Sequence, residues 1–153
     1  MLKAKAEAVK KEFPVPTNSD VESLLGLKAK GVPELLGLVR AGLQYNSLES
    51  FVRKTRFPRE EAISLVHISP RTLARRKEKG RLSPEESDRL VRAARIVSQA
   101  RRLFEGNAEA ANHWLKSSQQ ALGGSTPLEY AQTEIGAREV EALIARLEHG
   151  VFS

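Results

Sequence analysis

The fold follows from one stretch, Ile68-Ser-Pro-Arg-Thr-Leu-Ala-Arg-Arg-Lys-Glu-Lys-Gly80. This stretch predicts a short helix with a signal at each end. Ser69 suits the N-cap position, because its hydroxyl can accept a hydrogen bond from a free backbone amide one turn into the helix. Pro70 suits the first helical position, where a missing N–H costs nothing. Gly80 can adopt the left-handed conformation that ends many helices.

The side chains of this helix are almost all polar. Leu73 is its one large apolar residue, and arginines and a threonine occupy the other sides. A helix this polar cannot lie in a core, so we expect Leu73 to anchor it while its basic face meets an external partner. The alternative is a basic helix that is simply solvated.

A second helix is expected just before it, over residues 59–66, with an apolar stripe and an acidic first turn. Two helices joined by a tight turn form the helix-turn-helix plan, in which the second helix enters the major groove of DNA. Glycine is common in that turn and His67 stands there instead, but histidine tolerates a positive φ better than most residues. The expected DNA contacts are Ser69, Arg71, Thr72, Arg75, Arg76 and Lys77.

The charge distribution agrees with this prediction. The chain of 153 residues has a net charge of +6. Between Arg53 and Arg102, 15 Lys and Arg residues stand against 6 Asp and Glu, a net charge of +9, so the rest of the chain carries −3. A localised basic region is the electrostatic footprint of a module that binds nucleic-acid phosphates.

Composition and missing motifs argue against several classes of protein. There is no cysteine for a disulfide framework,, no apolar run of membrane-spanning length and no hydrophobic block of a secretion signal. A cytoplasmic protein without membrane contact is therefore expected. Metal-ligand spacing, a phosphate-cradling loop and a nucleophile elbow are all missing from the sequence. We expect no enzymatic activity, no catalytic or metal site and no cofactor.

The rest of the chain predicts further helices and no strands, so the expected fold class is all-α. One helix is expected over residues 33–41, and its leucines fit either an ordinary core or a dimer face. Capped helix starts follow at Ser83, Asn107, Thr126 and Thr133,. The long helix after Ser83 carries five arginines, which either reach phosphates or stay solvated.

Three segments are expected from this pattern. Residues 1–20 form a flexible N-terminal tail, residues 21–105 form the helical helix-turn-helix domain for DNA binding and dimerisation, and residues 106–153 form a small helical C-terminal domain. The chain ends in a short apolar run, Val151-Phe-Ser153. That run is either a ragged end or a plug for a partner's pocket.

Longer runs carry a family resemblance. The run Ile68-Ser-Pro-Arg-Thr-Leu-Ala-Arg-Arg-Lys77, followed by Gly80-Arg-Leu-Ser-Pro-Glu-Glu-Ser-Asp-Arg-Leu90, closely resembles the helix-turn-helix half of the Xre/MbcA/ParS-type antitoxins. That family's C-terminal toxin-binding domain is similar to four runs here: Ala110-Ala-Asn-His-Trp-Leu115, Ala121-Leu-Gly-Gly-Ser-Thr-Pro-Leu128, Thr133-Glu-Ile-Gly-Ala-Arg-Glu-Val140 and Glu148-His-Gly-Val-Phe-Ser153. The resemblance covers residues 45–153, and the segment before residue 45 matches more loosely.

The resemblance implies the antitoxin of a bacterial type II toxin–antitoxin system of the RES–Xre type. Its partner would be a RES-domain toxin that consumes NAD, and its C-terminal domain would cover the active site of that toxin. It would repress its own operon by binding operator DNA, as a homodimer that assembles into a larger toxin–antitoxin complex. The toxin contacts that the resemblance implies are Arg138, Arg146, His149, Gly150, Val151, Phe152 and Ser153.

A solitary helix-turn-helix transcriptional regulator without a toxin partner is the alternative. In that case the C-terminal domain would serve oligomerisation only. A neighbouring gene for a RES-domain protein would favour the antitoxin, and its absence would favour the solitary regulator.

Overall fold

A computed structural model describes residues 18–150, and within this range the regular elements are helical. The helices are α1 (Asn18–Leu25), α2 (Val32–Ala41), α3 (Tyr45–Thr55), α4 (Arg59–Val66), α5 (Pro70–Lys79), α6 (Pro84–Leu103), α7 (Ala108–Leu115), α8 (Pro127–Tyr130) and α9 (Glu134–Glu148). A 3-10 turn, Gln120–Leu122, lies between α7 and α8. The all-α prediction is confirmed for the described residues.

The helix starts that the sequence predicts are also present. In each case a side-chain oxygen accepts a hydrogen bond from the backbone amide three residues later, at Ser69, Ser83, Asn107, Thr126 and Thr133. The capping boxes of α6 and α8 are complete, because the carboxylates of Glu86 and Glu129 accept hydrogen bonds from the N-cap amides of Ser83 and Thr126. An N-cap of this kind stabilises a protein by about 1 kcal/mol.

Helix α6 is the centre of the fold. It packs against α1, α2, α3, α4, α7 and α9. Leu90, Ala94 and Val97, which form an apolar stripe at helical spacing, have no exposed surface,. Phe104, the last member of that stripe, is half-buried at the end of the helix. One hydrophobic cluster runs from α1 to α9, so the described residues share a single core with α6 at its middle.

Helix α2 divides its apolar residues between the interior and the surface. Leu35 is buried, and Leu38 is half-buried against the core. Val32 and Leu36 are 62% and 44% exposed. Packing therefore accounts for Leu35 and Leu38, whereas Leu36 and its neighbour Val32 lie on the surface.

A backbone contact fixes the end of α5 against the start of α3. The amide of Tyr45 donates to the carbonyl oxygen of Gly80 at 2.9 Å, and the amide of Leu82 donates to that of Leu43 at 2.8 Å. Gly42 makes this approach possible. Its φ is +89°, and a Cβ atom there would lie 2.3 Å from the carbonyl oxygen of Leu82, so both conformation and space require glycine.

The N-terminal boundary differs from the prediction. Helix α1 begins at Asn18, inside the segment 1–20 that is expected to be a tail, and residues 1–17 lie outside the described residues. The helix forms because Val21, Leu24 and Leu25 are buried in the common core. Short apolar segments of this kind gain their stability from packing and not from local signals, which is why the sequence gives a weak indication here.

Candidate DNA-binding helix and C-terminal surface

Helices α4 and α5 form the predicted helix-turn-helix. His67 joins them in the left-handed conformation, with φ 53° and ψ 48°, and its amide donates to the carbonyl oxygen of Ser64 at 3.2 Å. The expectation that His67 tolerates the positive φ for which glycine is common at this turn is therefore confirmed. Arg89 of α6 stabilises the turn, because its Nε donates to the carbonyl oxygen of Val66 at 2.7 Å. That cation satisfies an acceptor left free at the end of a helix.

The caps of α5 match the prediction at both ends. Ser69 Oγ accepts from the amide of Thr72 at 3.2 Å, and Gly80 closes the helix with φ +77° and an amide that donates to the carbonyl oxygen of Arg76. No residue of α5 is fully buried. Leu73 is half-buried against the core, and it is the only large apolar side chain by which this helix packs.

The predicted DNA contacts fall into two groups. Arg71, Arg75 and Lys77 are exposed. Arg71 and Arg75 lie on the side of α5 opposite Leu73, whereas Lys77 lies near Glu49 of α3. Ser69 and Thr72 belong to the start of the helix, where Ser69 Oγ also donates to Thr72 Oγ1 at 3.0 Å. The first turn of a recognition helix is the part that reaches base edges, and the exposed arginines can pair with guanine or phosphate.

Arg76 has a different environment from the other arginines of α5. Its Nε lies 2.7 Å from Oε1 of Glu86, and the two side chains are only 21% and 7% exposed. Burial favours the neutral form of Glu86, but hydrogen bonds from the Ser83 amide and from Arg76 outweigh it, so the pKa of Glu86 is below its ordinary value. Arg76 therefore orients α5 against α6. Sequence spacing alone missed this role, since the partner is ten residues away.

The arginines of α6 are mostly engaged inside the molecule. Arg92 Nε lies 2.8 Å from Glu134, and Arg95 donates to Glu141 at 2.8 Å, so both tie α6 to α9. Farther along α6, Arg101 donates to the carbonyl oxygen of Lys54 at 2.6 Å and Arg102 pairs with Asp20 of α1 at 2.6 Å. Phosphate contact and simple solvation were the two roles expected for these side chains. The structure gives them a third, as cross-links between helices.

The C-terminal residues implied by the family resemblance gather on one side of α9. The buried face of this helix carries Ala137, Val140, Leu143 and Ile144. Since an α-helix repeats about every 3.6 residues, Arg138, Arg146 and His149 share the opposite face, and all three are exposed. Gly150 follows with φ +65°, and the predicted contacts Val151, Phe152 and Ser153 lie outside the described residues.

The turn between α8 and α9 presents two large apolar side chains that the sequence prediction did not include. Ile135 is 80% exposed and Tyr130 is 37% exposed. Helical spacing does contain the signal, because Ile135 lies opposite the buried face defined by Val140 and Ile144. A tight turn sets their positions, since a Cβ atom on Gly136 would lie 1.7 Å from the carbonyl oxygen of Tyr130.

Further polar contacts, besides those of Arg92 and Arg95, join the helix-turn-helix half to the C-terminal half. Nε2 of His67 lies 3.2 Å from the carbonyl oxygen of Gln132. Glu61 of α4 pairs with Lys116 after α7 at 3.0 Å. Another contact runs from Asn112 Nδ2 of α7 to the carbonyl oxygen of Thr55 at 2.8 Å. The two halves are thus held together by polar contacts as well as by the common core.

The described residues contain neither a metal-binding cluster nor a membrane-spanning helix. Within residues 18–150, no group of three or more His, Asp or Glu side chains is arranged to hold a metal ion. In the same range, no helix is long and apolar enough to span a membrane.

Comparison with known families matches both halves of the chain. The model described as the antitoxin Xre-like helix-turn-helix domain matches residues 34–95. The model described as the antitoxin Xre/MbcA/ParS C-terminal toxin-binding domain matches residues 99–150. The first match ends and the second begins inside α6, so each includes the surface described above for its half.

Individual relatives agree with these models. The chain is 36% identical over 130 residues to the Antitoxin Xre of Yersinia enterocolitica, a match that covers 84% of this chain and 88% of the relative. It is 31% identical, with the same coverage, to the Antitoxin Xre of Photorhabdus laumondii. It is also 22% identical over 127 residues to a Sphingobium protein named Prs ADP-ribosylating antitoxin, covering 77% of this chain and 80% of the relative.

Proposed function

The chain belongs to the Xre antitoxin family, and we propose that it neutralises a RES-domain, NAD-consuming toxin and represses its own operon. Residues 106–153 cover the toxin's active site, and the helix-turn-helix within residues 21–105 binds the operator. The observation that carries this proposal is the presence, in one chain, of a capped basic recognition helix and a separate exposed face on α9.

The DNA-binding half is supported by the electrostatics of α5. Arg71, Arg75 and Lys77 are exposed on a helix that Leu73 and the Arg76–Glu86 pair hold against the rest of the fold, in a region with a net charge of +9 between Arg53 and Arg102. Phosphate contacts from such side chains supply much of the affinity for DNA. One chain presents one recognition helix, and operators of this class have two half-sites. The proposed unit is therefore a homodimer.

The toxin-binding half is supported by family and by surface. The face of α9 that carries Arg138, Arg146 and His149 lies within the residues matched by a toxin-binding domain. The name of the Sphingobium relative refers to ADP-ribosylation, a reaction in which NAD is the donor, and this favours an NAD-consuming partner. The chain acts by binding and needs no cofactor. It works in the bacterial cytoplasm, where NAD and the operator are found, as part of a larger toxin–antitoxin complex.

Co-expression with the RES-domain protein encoded beside this gene tests the proposal. Affinity capture of this chain should retain that protein, and the NAD consumption of the free toxin should stop in the complex. If no partner is retained and NAD loss continues, the chain is a solitary DNA-binding regulator. Selection of its operator from random DNA then becomes the decisive measurement.

A further inference from the structure

The turn between α8 and α9 reverses the usual distribution of large and small apolar residues. Its interior side is filled by Ala131, Gly136 and Ala137, which are buried, whereas Tyr130 and Ile135 project outward. Large aliphatic side chains are normally among the most buried residues of a protein. Folding alone therefore does not account for an isoleucine and a tyrosine on this side of the turn.

The turn holds these two side chains in a fixed relationship. The amide of Gly136 donates to Thr133 Oγ1 at 3.0 Å, and the backbone at Gly136 approaches the Tyr130 carbonyl too closely for any side chain. Glu134, which lies between Tyr130 and Ile135 in the sequence, pairs with Arg92 at 2.8 Å and with Arg138 at 3.2 Å. A surface that is already rigid loses little entropy when it binds.

Ile135 is in line with the other candidate contacts of α9. It shares the exposed face of this helix with Arg138, Arg146 and His149, so the four side chains form one strip along the helix. Glu139 is also exposed and borders this strip. Protein interfaces combine apolar side chains with a polar rim, and Ile135 supplies an apolar side chain next to the polar ones of this strip.

We propose that Ile135, with Tyr130 beside it, is the apolar anchor of the toxin contact and inserts into an apolar pocket of the toxin. This inference rests on the proposed function. The toxin is the occupant, and not a second copy of this chain, because the pair lies within residues 99–150, which match the toxin-binding domain. The other exposed apolar pair of the described residues, Val32 and Leu36 on α2, lies outside that match.

The test compares Ile135→Asp with Val32→Asp in the full chain. Each residue stands in the first turn of its helix, where an acidic side chain is favourable, so neither change should weaken folding. The affinity for the RES-domain protein, the unfolding temperature and operator binding are measured for both. Ile135→Asp should raise the toxin Kd by about thirtyfold or more, the range of an interface hot spot. Val32→Asp should leave that Kd within about twofold.

Each outcome decides between defined alternatives. Loss of toxin affinity in Ile135→Asp alone, with recovery in Ile135→Leu, supports the anchor. Equal toxin affinity in wild type and Ile135→Asp overturns it while the antitoxin function stands. Equal losses in the aspartate variants of Ile135 and Val32 also overturn it, since the effect is then not local. If the wild-type chain binds no RES-domain protein, the proposed function and the anchor fail together.

Discussion

The guanidinium of Arg76 and the carboxylate of Glu86 meet at 2.7 Å, between the recognition helix and the first turn of α6. The same carboxylate oxygen accepts from the amide of Ser83 at 2.8 Å and completes the capping box. One buried carboxylate therefore caps α6 and holds α5 at the same time. The orientation of the DNA-binding helix depends on this contact.

Arg75 and Arg76 are neighbours with separable roles. Arg75→Ala should weaken operator binding about 10- to 100-fold, because an exposed side chain that pairs with a base or phosphate is lost, and it should leave the unfolding temperature unchanged. Arg76→Ala should lower the free energy of unfolding by about 1–3 kcal/mol, since Glu86 then stays buried without its partner. Gel-shift titration and urea unfolding of both variants check this.

The double variant, Arg75→Ala with Arg76→Ala, should abolish operator binding while toxin neutralisation survives. A complex with the operator that persists at physiological salt would contradict the assignment of α5 as the recognition helix. The toxin-binding measurement serves as the control for folding.

Gly136 should tolerate no side chain. In Gly136→Ala, the new Cβ atom would meet the carbonyl oxygen of Tyr130, so the turn must open, with a loss of about 2 kcal/mol or more of unfolding free energy and weaker toxin binding. Gly37→Ala is the matched control, because Gly37 lies inside α2 with nothing within 4 Å of the added atom. That variant should be stabilised by about 0.5–1 kcal/mol. Thermal and urea unfolding of the pair decide the matter.

Acid should destabilise the protein through its paired carboxylates. For Glu134, the hydrogen bond with Arg138 is the main cause of a pKa below the ordinary value of 4.5, and the pKa of Glu86 is also lowered. A lowered pKa in the folded state contributes stability that is complete above the ordinary value and is lost as the pH falls through the folded one. Unfolding free energy should therefore decline from about pH 5 to pH 3.

Glu86→Gln isolates one part of this effect. Glutamine keeps the capping box but loses the charge that pairs with Arg76. The variant should be less stable than the wild type at neutral pH, and the difference should shrink as the solution becomes acidic. An unchanged difference between neutral and acidic pH, in urea titrations, would show that the charge of Glu86 has no role.

Removal of Val151–Ser153 should weaken toxin neutralisation more than operator binding. Val151 and Phe152 are two consecutive apolar residues, and apolar side chains of this kind suit a pocket of a partner. Titration of the shortened chain against the toxin and against operator DNA checks this. Equal toxin affinity before and after the deletion would rule out a role for the tail.

Local signals made much of this fold predictable. A hydroxyl or amide cap followed by proline or glutamate identified the starts of α5, α6 and α8, because the atoms that satisfy the free amides are only three residues apart. The left-handed conformation at His67 followed in the same way, from the need for a tight turn between two helices. These predictions required no knowledge of distant contacts.

The remaining features depend on residues that are far apart in sequence. In the sequence, Arg76 cannot be told apart from the other arginines of α5, and only the fold places Glu86 beside it. Likewise, only the fold brings Arg89 to the carbonyl oxygen of Val66 at the end of α4. Ile135 is different, since its position opposite Val140 was visible in the sequence. A single apolar residue on a polar face does not by itself predict a binding site, because the turn that fixes its position is visible only in the structure.

The position of α6 has a consequence for how the protein is removed from the cell. Because the common core is centred on α6 and includes side chains of α1, α3, α4, α7 and α9, opening of that helix exposes both halves together. A protease that captures the opened chain would thus cut α5 and the exposed face of α9 in one event. On the proposed function, such turnover ends DNA binding and toxin binding together, with no long-lived fragment that retains either one.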